Sequence, residues 1–355
     1  MTRPGALCAR AAAVALAVTL AGCGAAGDQV ELVGAGASSQ SAAMDGWKAG
    51  FAAQAPDVRV AYDPIGSGGG REMFLSGGAD FGATDVALTD AEMADAVDRC
   101  AGTAGAVNLP VFISPIAIVY NLPELAGTTL RLTPDLLAKI FTGAITDWSD
   151  PALAAVNPGA ELPARHINPV HRSDDSGTTK TFTAYLAAAA PSVWEPGAIE
   201  AWGEGPGGGE GGDGTSGVVE SVRIGAGSIG YAEASQIGDL AAAAILVGDE
   251  FVTFSPEAAA ATLEASSRVP GRGAHDFTFE LRRDVPGTYP IVLVSYHVAC
   301  LHYDDDARAG RVRDFLAFVV SPEGQAVATT TAGSAPLPGA LSAELAAAVA
   351  TISGG

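Results

Sequence analysis

The chain has 355 residues and a formal net charge of −21, with 40 acidic against 19 basic side chains. A protein that binds nucleic acid needs a basic face, so this balance argues against DNA or RNA as a partner and against a polybasic membrane patch. Apolar residues make up 48% of the sequence, which is enough for sizeable cores, and the length suggests two domains.

The first predicted element is a targeting segment. Two arginines precede an apolar run over residues 11–21, which is too short to span a bilayer. The run ends in the letters LAGC at residues 20–23, a lipobox pattern. We therefore predict that residues 1–22 are a lipoprotein signal peptide. Cys23 would then carry the lipid, which includes palmitate. An ordinary secretory cleavage site is the alternative. The expected location is the extracytoplasmic face of the cell membrane, reached through this lipid anchor.

Two cysteines remain after the signal peptide and the lipidation site are set aside, namely Cys100 and Cys300. In an oxidising compartment an isolated pair favours a disulfide, and two free buried thiols are the alternative. Neither cysteine has a second ligand at a spacing typical of metal sites, so no metal site is predicted.

Three strand–turn–helix units follow in the first third of the chain. Strands are predicted over 30–33, 57–62 and 79–85, with turns rich in glycine or hydroxyl groups at 34–39 and 66–70. Consecutive units of this kind form a parallel sheet whose ligand contacts lie at the carboxyl ends of the strands. The sequence therefore predicts an α/β fold with a site at that edge.

The rest of the chain mixes buried strands, helices and loops. Long apolar runs over 107–121 and 289–299 predict two buried strands, and helices are predicted over 133–141 and 181–190. Residues 203–217 consist mostly of glycine and acidic residues, which predicts a flexible surface loop.

The segment Arg172–Thr179 is the most informative motif. It combines a fixed cation with the hydroxyls of Ser176 and Thr178 just before a predicted helix. A helix start offers unpaired N–H groups and a positive partial charge, so the segment predicts an oxyanion cradle. The turns at 34–39 and 66–70 lack a complete dinucleotide or P-loop fingerprint, and each alone is typical of a simple tight connection. Together the three segments favour one shared oxyanion site.

A hydrolytic enzyme is the alternative from a different class. An exported phosphate-ester hydrolase would use Ser176 or Ser38 as its nucleophile, with a histidine and a carboxylate within reach. The sequence has no Gly-x-Ser-x-Gly elbow, its five histidines are scattered, and His171 is more typical of a loop residue.

Taken in order along the chain, these segments resemble a known family, the periplasmic or extracellular phosphate-binding proteins of phosphate ABC transporters (PstS-like). The matching segments are residues 34–38, 65–69, 80–85, 148–163, 172–178, 228–231 and 289–291. The resemblance covers about residues 30 to 340. It implies a two-lobed α/β fold of the type II periplasmic-binding-protein class, with mixed sheets, flanking helices and a cleft between the lobes. Lobe one would hold 30–106 plus 290–355 and lobe two 107–289, with both remaining cysteines in lobe one.

The resemblance also implies a ligand set, which we call the cradle. Its members are Ser38, Ser39, Ser67, Asp85, Arg172, Ser176, Gly177 and Thr178. Asp174 would hold the guanidinium of Arg172, and Asp85 would accept a hydrogen bond from a protonated ligand oxygen. Ser39 stands where the family usually has an aromatic residue.

The function implied is that of a lipid-anchored solute-binding protein. It would capture inorganic phosphate and deliver it to an ABC permease and its ATPase subunits, without covalent chemistry or a cofactor. Other tetrahedral oxyanions such as sulfate or molybdate, and a receptor that senses phosphate without delivering it, are the alternatives. Asp85 argues against sulfate, which has no proton to donate.

Overall fold

A computed structural model describes residues 29–102, 104–125 and 127–355 of the chain. The predicted signal peptide and the predicted lipidation site Cys23 lie outside the described residues. The first part alternates strands and helices: β1 (Val30–Gly36), α1 (Ser41–Gln54), β2 (Val58–Asp63), α2 (Ser67–Leu75), β3 (Phe81–Thr84), α3 (Asp90–Arg99) and β4 (Ala106–Tyr120). Strand β1 pairs in parallel with both β2 and β3, which confirms the predicted parallel arrangement.

The middle part begins with a short strand and two helices and then builds a second set of strand–helix units. Its elements are β5 (Arg131–Leu132), α4 (Pro134–Phe141), α5 (Pro151–Val156), β6 (Asn168–Arg172), α6 (Gly177–Ala189), β7 (Glu210–Gly212), α7 (Gly214–Ile224) and β8 (Ser228–Glu233). Helix α6 begins four residues before the predicted start because the hydroxyl of Ser176 accepts a hydrogen bond from the Thr179 N–H and caps it. The prediction of a flexible loop over 203–217 is wrong in its second half, where β7 extends the sheet and α7 begins.

The last part contains short strands, the long strand β14 and four helices. Its elements are β9 (Ala241–Ala242), β10 (Ala244–Val247), β11 (Glu250–Val252), α8 (Pro256–Glu264), β12 (Ser267–Arg268), β13 (Phe279–Glu280), β14 (Val292–Cys300), β15 (His302–Tyr303), α9 (Asp306–Val320), α10 (Pro322–Ala332), α11 (Gly339–Ala350) and β16 (Ser353–Gly354). A disulfide joins Cys100, at the end of α3, to Cys300, at the end of β14, which confirms the predicted pairing. Within the described ranges, no helix has both the length and the apolar character needed to cross a membrane.

One strand holds the two halves of the main sheet together. The strand order is β2-β1-β3-β14-β4-β8-β6-β7, with β9 also pairing with β4. The first part of β4, up to Pro115, pairs with β14, and its second part, from Ile116 onward, pairs with β8. All 15 residues of β4 are buried. A continuous buried strand therefore joins the half of the sheet that contains β14 to the half that contains β8, and the carboxyl ends of β1, β3 and β6 meet near this junction.

Candidate functional site

The site begins where β1 ends in Gly36, beside its neighbour β3. Gly36 has a φ of +142°, and a Cβ there would lie 1.8 Å from the carbonyl oxygen of Ala83 on β3. The Gly36 carbonyl accepts a hydrogen bond of 2.9 Å from the N–H of Gly66, just before α2. Only glycine fits so close to β3, and this packing brings the turn at 34–39 beside the start of α2.

Asp85, which directly follows β3, is the acceptor at the centre of the site. Its Oδ1 accepts hydrogen bonds of 2.6 Å from the hydroxyls of both Ser39 and Ser295, and its Oδ2 accepts one of 2.8 Å from Thr178. The Asp85 N–H donates to the Ser67 hydroxyl oxygen at 3.0 Å. Two predicted cradle residues, Ser39 and Thr178, therefore donate to the Asp85 carboxyl group, and a third, Ser67, bonds the backbone of the same residue, which is only 6% exposed.

Burial raises the pKa of the Asp85 carboxyl above its ordinary value. The hydroxyls of Ser295, Ser39 and Thr178 act in the opposite direction, as does the positive charge of Arg172, because all of them stabilise the ionised form. The carboxylate is thus held by donors and desolvated at the same time, which makes its environment sensitive to the charge and protonation of any group placed next to it.

Arg172, the last residue of β6, is 2% exposed and is held by Asp174. Its Nε donates to Asp174 Oδ1 at 2.7 Å and its Nη2 donates to Asp174 Oδ2, so one edge of the guanidinium is fully used. Asp174 also accepts a hydrogen bond of 3.3 Å from the N–H of Gly214 at the start of α7. Among the described residues Nη1 of Arg172 makes no hydrogen bond, which leaves it available to a ligand.

The start of α6 packs directly against the start of α2 and against Asp85. A Cβ on Gly177 would lie 2.6 Å from the Ser67 hydroxyl oxygen and 2.7 Å from the Cβ of Asp85, so the backbone itself forms the contact. The Gly68 N–H of α2 donates across the cleft to the carbonyl of Asp175 at 3.1 Å. The helix starts of α2 and α6 are therefore in direct contact, with the small Ser67 side chain against the backbone of Gly177.

Two contacts that the sequence reasoning missed hold the turn at 34–39 against the start of α7 and the segment after β8. The Ser38 hydroxyl oxygen accepts a hydrogen bond of 3.1 Å from the N–H of Thr215 and lies 3.1 Å from its hydroxyl. Gln236 donates from Nε2 to the carbonyls of Ser38 and Ser39, both at 3.0 Å. Thr215 had a detectable signal, since Gly-Thr begins α7 there as Gly-Thr begins α6 at 177–178, but the glycine-rich composition hid it.

Ser295 is the other residue that the sequence reasoning missed. It lies in the buried strand β14, at the irregular pairing between Ser295 and Tyr296. Its hydroxyl accepts a hydrogen bond of 2.6 Å from Nε2 of Gln40, whose Oε1 lies 2.9 Å from Nε2 of His297. The available signal was the pair of polar residues at 295 and 297 in an otherwise apolar run.

A second polar contact between the lobes lies near the cradle. Arg71 of α2 donates from Nη1 and Nη2 to the two carboxylate oxygens of Glu200, at 2.7 and 3.0 Å, and from Nε to Glu92 at 2.8 Å. The three side chains are 12%, 16% and 23% exposed. A bidentate pair with this little exposure is stronger than a surface ion pair, and here it joins α2 to the segment after α6.

The structure brings together all eight predicted cradle residues, but two of their hydroxyls make hydrogen bonds to other groups of the protein. The Ser176 hydroxyl caps α6 and that of Ser38 meets Thr215, so neither contacts a histidine within the described part of the chain. In the same part, no group of three or more His, Cys, Asp or Glu side chains is arranged to share a metal ion. The arrangement is suited to hold an anion through hydrogen bonds from neutral groups and one arginine.

Comparison with known proteins identifies the family. The chain matches the model of the PBP superfamily domain over residues 23–323. Phosphate-binding protein PstS2 of Mycobacterium bovis is 35% identical over 337 residues, covering 92% of this chain and 88% of the relative. Phosphate-binding protein PstS 3 of Mycobacterium tuberculosis is 37% identical over 299 residues, covering 82% of this chain and 78% of the relative.

A solved structure supports the same fold. It is that of a high-affinity periplasmic phosphate-binding protein bound with phosphate, which has a TM-score of 0.71 at 21% identity and covers 90% of this chain and 93% of its own. The two-lobed, mixed α/β fold expected from the sequence is confirmed by this similarity. The chain therefore belongs to the PBP superfamily and, within it, to the PstS-like family of phosphate-binding proteins.

Proposed function

We propose that this protein captures inorganic phosphate in the cradle and delivers it to an ABC permease with its ATPase subunits. The names of its relatives support the ligand, since both mycobacterial proteins are called phosphate-binding proteins. Lobe one, 30–106 plus 290–355, closes on lobe two, 107–289, around the phosphate ion, and the chain is held at the extracytoplasmic face of the membrane through Cys23. No covalent step and no cofactor are part of this function.

The hydrogen-bonding state of Asp85 carries the proposal. A carboxylate offers about four acceptor positions, and the hydroxyls of Ser39, Ser295 and Thr178 occupy three of them. The remaining position is satisfied only by another donor. Phosphate near neutral pH still carries a proton, so it can donate to Asp85. Sulfate presents only lone pairs, and the resulting repulsion at a buried acceptor should cost several kcal/mol.

The other ligand oxygens are assigned to donors on three segments. Nη1 of Arg172 supplies the charged hydrogen bond, with Asp174 holding the guanidinium in place. The hydroxyls and N–H groups of Ser38, Ser39, Ser67, Ser176, Gly177 and Thr178 supply the neutral ones. The first N–H groups of a helix have no intrahelical partner, so α2 and α6 bring such donors to the cradle from both lobes.

Competition binding tests the ligand and the role of Asp85 together. Radiolabelled phosphate is bound to the wild type and displaced with arsenate or sulfate across pH. Arsenate should compete because its protonation resembles that of phosphate, whereas sulfate should not. In Asp85→Asn the amide can donate to sulfate, so discrimination against sulfate should fall by at least tenfold. Asp63→Asn is the matched control, because Asp63 ends the neighbouring strand β2 but is exposed.

Equal affinity of the wild type for sulfate and phosphate would refute the selectivity argument. Turnover of a chromogenic phosphate ester would instead favour the hydrolase. The anchor and the delivery step need cells: Cys23→Ser should release the protein from the membrane fraction, and a strain that lacks the protein should lose phosphate uptake that the wild-type gene restores. Uptake that is unchanged in that strain would contradict delivery and favour a sensor.

A further inference from the structure

A cavity of about 430 Å³ lies between the lobes beside the cradle. Asp85 forms part of its wall, and the rest comes from the segment that leads into α3, from α6 and from the segment that precedes β14. Three cationic side chains line it: Lys180, Arg272 and Arg283. In a chain with 40 acidic and 19 basic residues, each of the three cations around one cavity is expected to be paired with a carboxylate.

Two of these cations are matched by carboxylates. Lys180 lies 3.7 Å from Glu200, and Arg272 pairs with Asp276 at 2.8 Å and with Asp90 at 2.7 Å. Their charges are therefore already compensated by the protein.

Arg283 is different. Among the described residues no carboxylate lies within 4.0 Å of its guanidinium, and its one protein hydrogen bond runs from Nη1 to the Pro290 carbonyl at 2.8 Å. The adjacent acid, Asp284, pairs with the exposed Arg282 at 2.8 Å. The hydroxyl of Tyr185 on α6 is buried without a partner among the described residues. Burial raises the pKa of this hydroxyl, and the positive charge of Arg283 acts in the opposite direction.

The environment of Arg283 therefore favours an anionic partner. Arg283 is half-buried, and this burial lowers its pKa to about 10, the direction expected of a cation partly removed from water without a counter-charge beside it. A guanidinium presents five N–H donors in a planar fork suited to an oxyanion, and the protein uses one of them here. We propose that this cavity is a second anion site, in which Arg283 binds a small oxyanion independently of the cradle.

Sulfate is the probe that separates the two sites, because in the cradle it would meet the Asp85 carboxyl, whereas no carboxylate of the described residues lies within 4.0 Å of the Arg283 guanidinium. The other acid that lines the cavity, Asp90, is paired with Arg272. Protein loaded with one molar equivalent of phosphate is dialysed against labelled sulfate. The wild type should bind one sulfate per chain, and Arg283→Met should weaken this binding at least tenfold. Arg282→Met is the matched control and should bind sulfate as the wild type does, since Arg282 lies outside the cavity with its own acid.

Two further variants keep the inference falsifiable. Arg283→Lys retains a cation if the methionine variant fails to fold, and it should bind sulfate more weakly than the wild type because the fork is lost. Arg172→Met should lose phosphate but keep sulfate, so failure of the cradle is distinguishable from failure of the second site. Sulfate that does not bind the wild type, or that binds Arg283→Met equally well, would overturn the proposal.

Discussion

Glu233 gives the protein a pH-dependent stability because it is an acid buried at the junction of the lobes. It ends β8 opposite Ile116, where β4 passes from one half of the sheet to the other, and it is 0% exposed. Its carboxylate accepts hydrogen bonds from the Ser114 hydroxyl at 2.5 Å and from the Ser235 N–H at 2.9 Å. Burial outweighs these donors and raises the pKa of Glu233 from 4.5 to about 7.

The size and sign of the effect on the free energy of unfolding follow from the difference between the pKa of Glu233 in the folded protein and in the unfolded chain. The folded protein holds a proton on Glu233 that the unfolded chain has already lost, so this stabilisation is complete below about pH 4.5 and disappears as the pH rises through about 7. A pKa difference of this size corresponds to about 3 kcal/mol in total, of which about 2.5 kcal/mol falls between about pH 5 and about pH 8. Glu233→Gln cannot titrate and should lack this contribution.

Urea unfolding, followed by tryptophan fluorescence at several pH values, measures the contribution of Glu233 to the free energy of unfolding. The free energy of unfolding of the wild type minus that of Glu233→Gln should fall by about 2.5 kcal/mol from about pH 5 to about pH 8. Other titrating groups cancel in this difference. Glu195→Gln, at an exposed position, should show no such change. A difference between wild type and Glu233→Gln that is the same at both pH values would refute the reasoning.

Three other changes test the packing of the cradle and its support. Replacing Cys100 and Cys300 together by serine opens a link between residues 200 apart in sequence and should lower the free energy of unfolding by about 2–5 kcal/mol, measured by urea titration against the oxidised wild type. Gly177→Ala should weaken phosphate binding at least tenfold in calorimetry, because the added Cβ meets the Ser67 hydroxyl at 2.6 Å and separates the helix starts. Ser295→Ala should weaken phosphate binding less than Gly177→Ala but lower discrimination against sulfate, measured by competition, since one of three donors to the central carboxylate is lost.

Local signals were enough to predict the elements that begin with a cap or follow a long apolar run. Thr133 is followed by proline at the helix start, and the observed α4 begins at Pro134 with the Thr133 hydroxyl accepting from the Leu136 N–H. The strand predicted over 107–121 is observed as Ala106–Tyr120. The loop prediction over 203–217 was wrong in its second half because glycine-rich composition says little about a strand whose hydrogen bonds come from a neighbour, here β6.

The same distinction separates the predictable and unpredictable parts of the site. Ser67 and Thr178 stand in glycine- and hydroxyl-rich turns before helices, a local pattern with a physical meaning. Ser295 becomes part of the site only because β14 pairs antiparallel with β3 and places it beside Asp85. No spacing along the chain specifies which strand lies next to β3. Gln236 is a similar case, since its role depends on the two lobes being in contact.

The strongly acidic chain is compatible with an anion site because local hydrogen bonds, and not net charge, determine the balance. The three ionisable residues of the site, Arg172, Asp85 and Asp174, sum to −1 when all are charged. The starts of α2 and α6 add about +0.5 each, which brings the local charge close to zero before a ligand arrives. Surface acids beyond about 10 Å are screened by salt. Affinity must therefore come from individual hydrogen bonds, those of the neutral donors and that of Arg172, in a site closed to water, where each hydrogen bond is stronger than in solution. Under these conditions the Asp85 carboxylate repels a fully ionised anion, whereas an anion that carries a proton can donate a hydrogen bond to it.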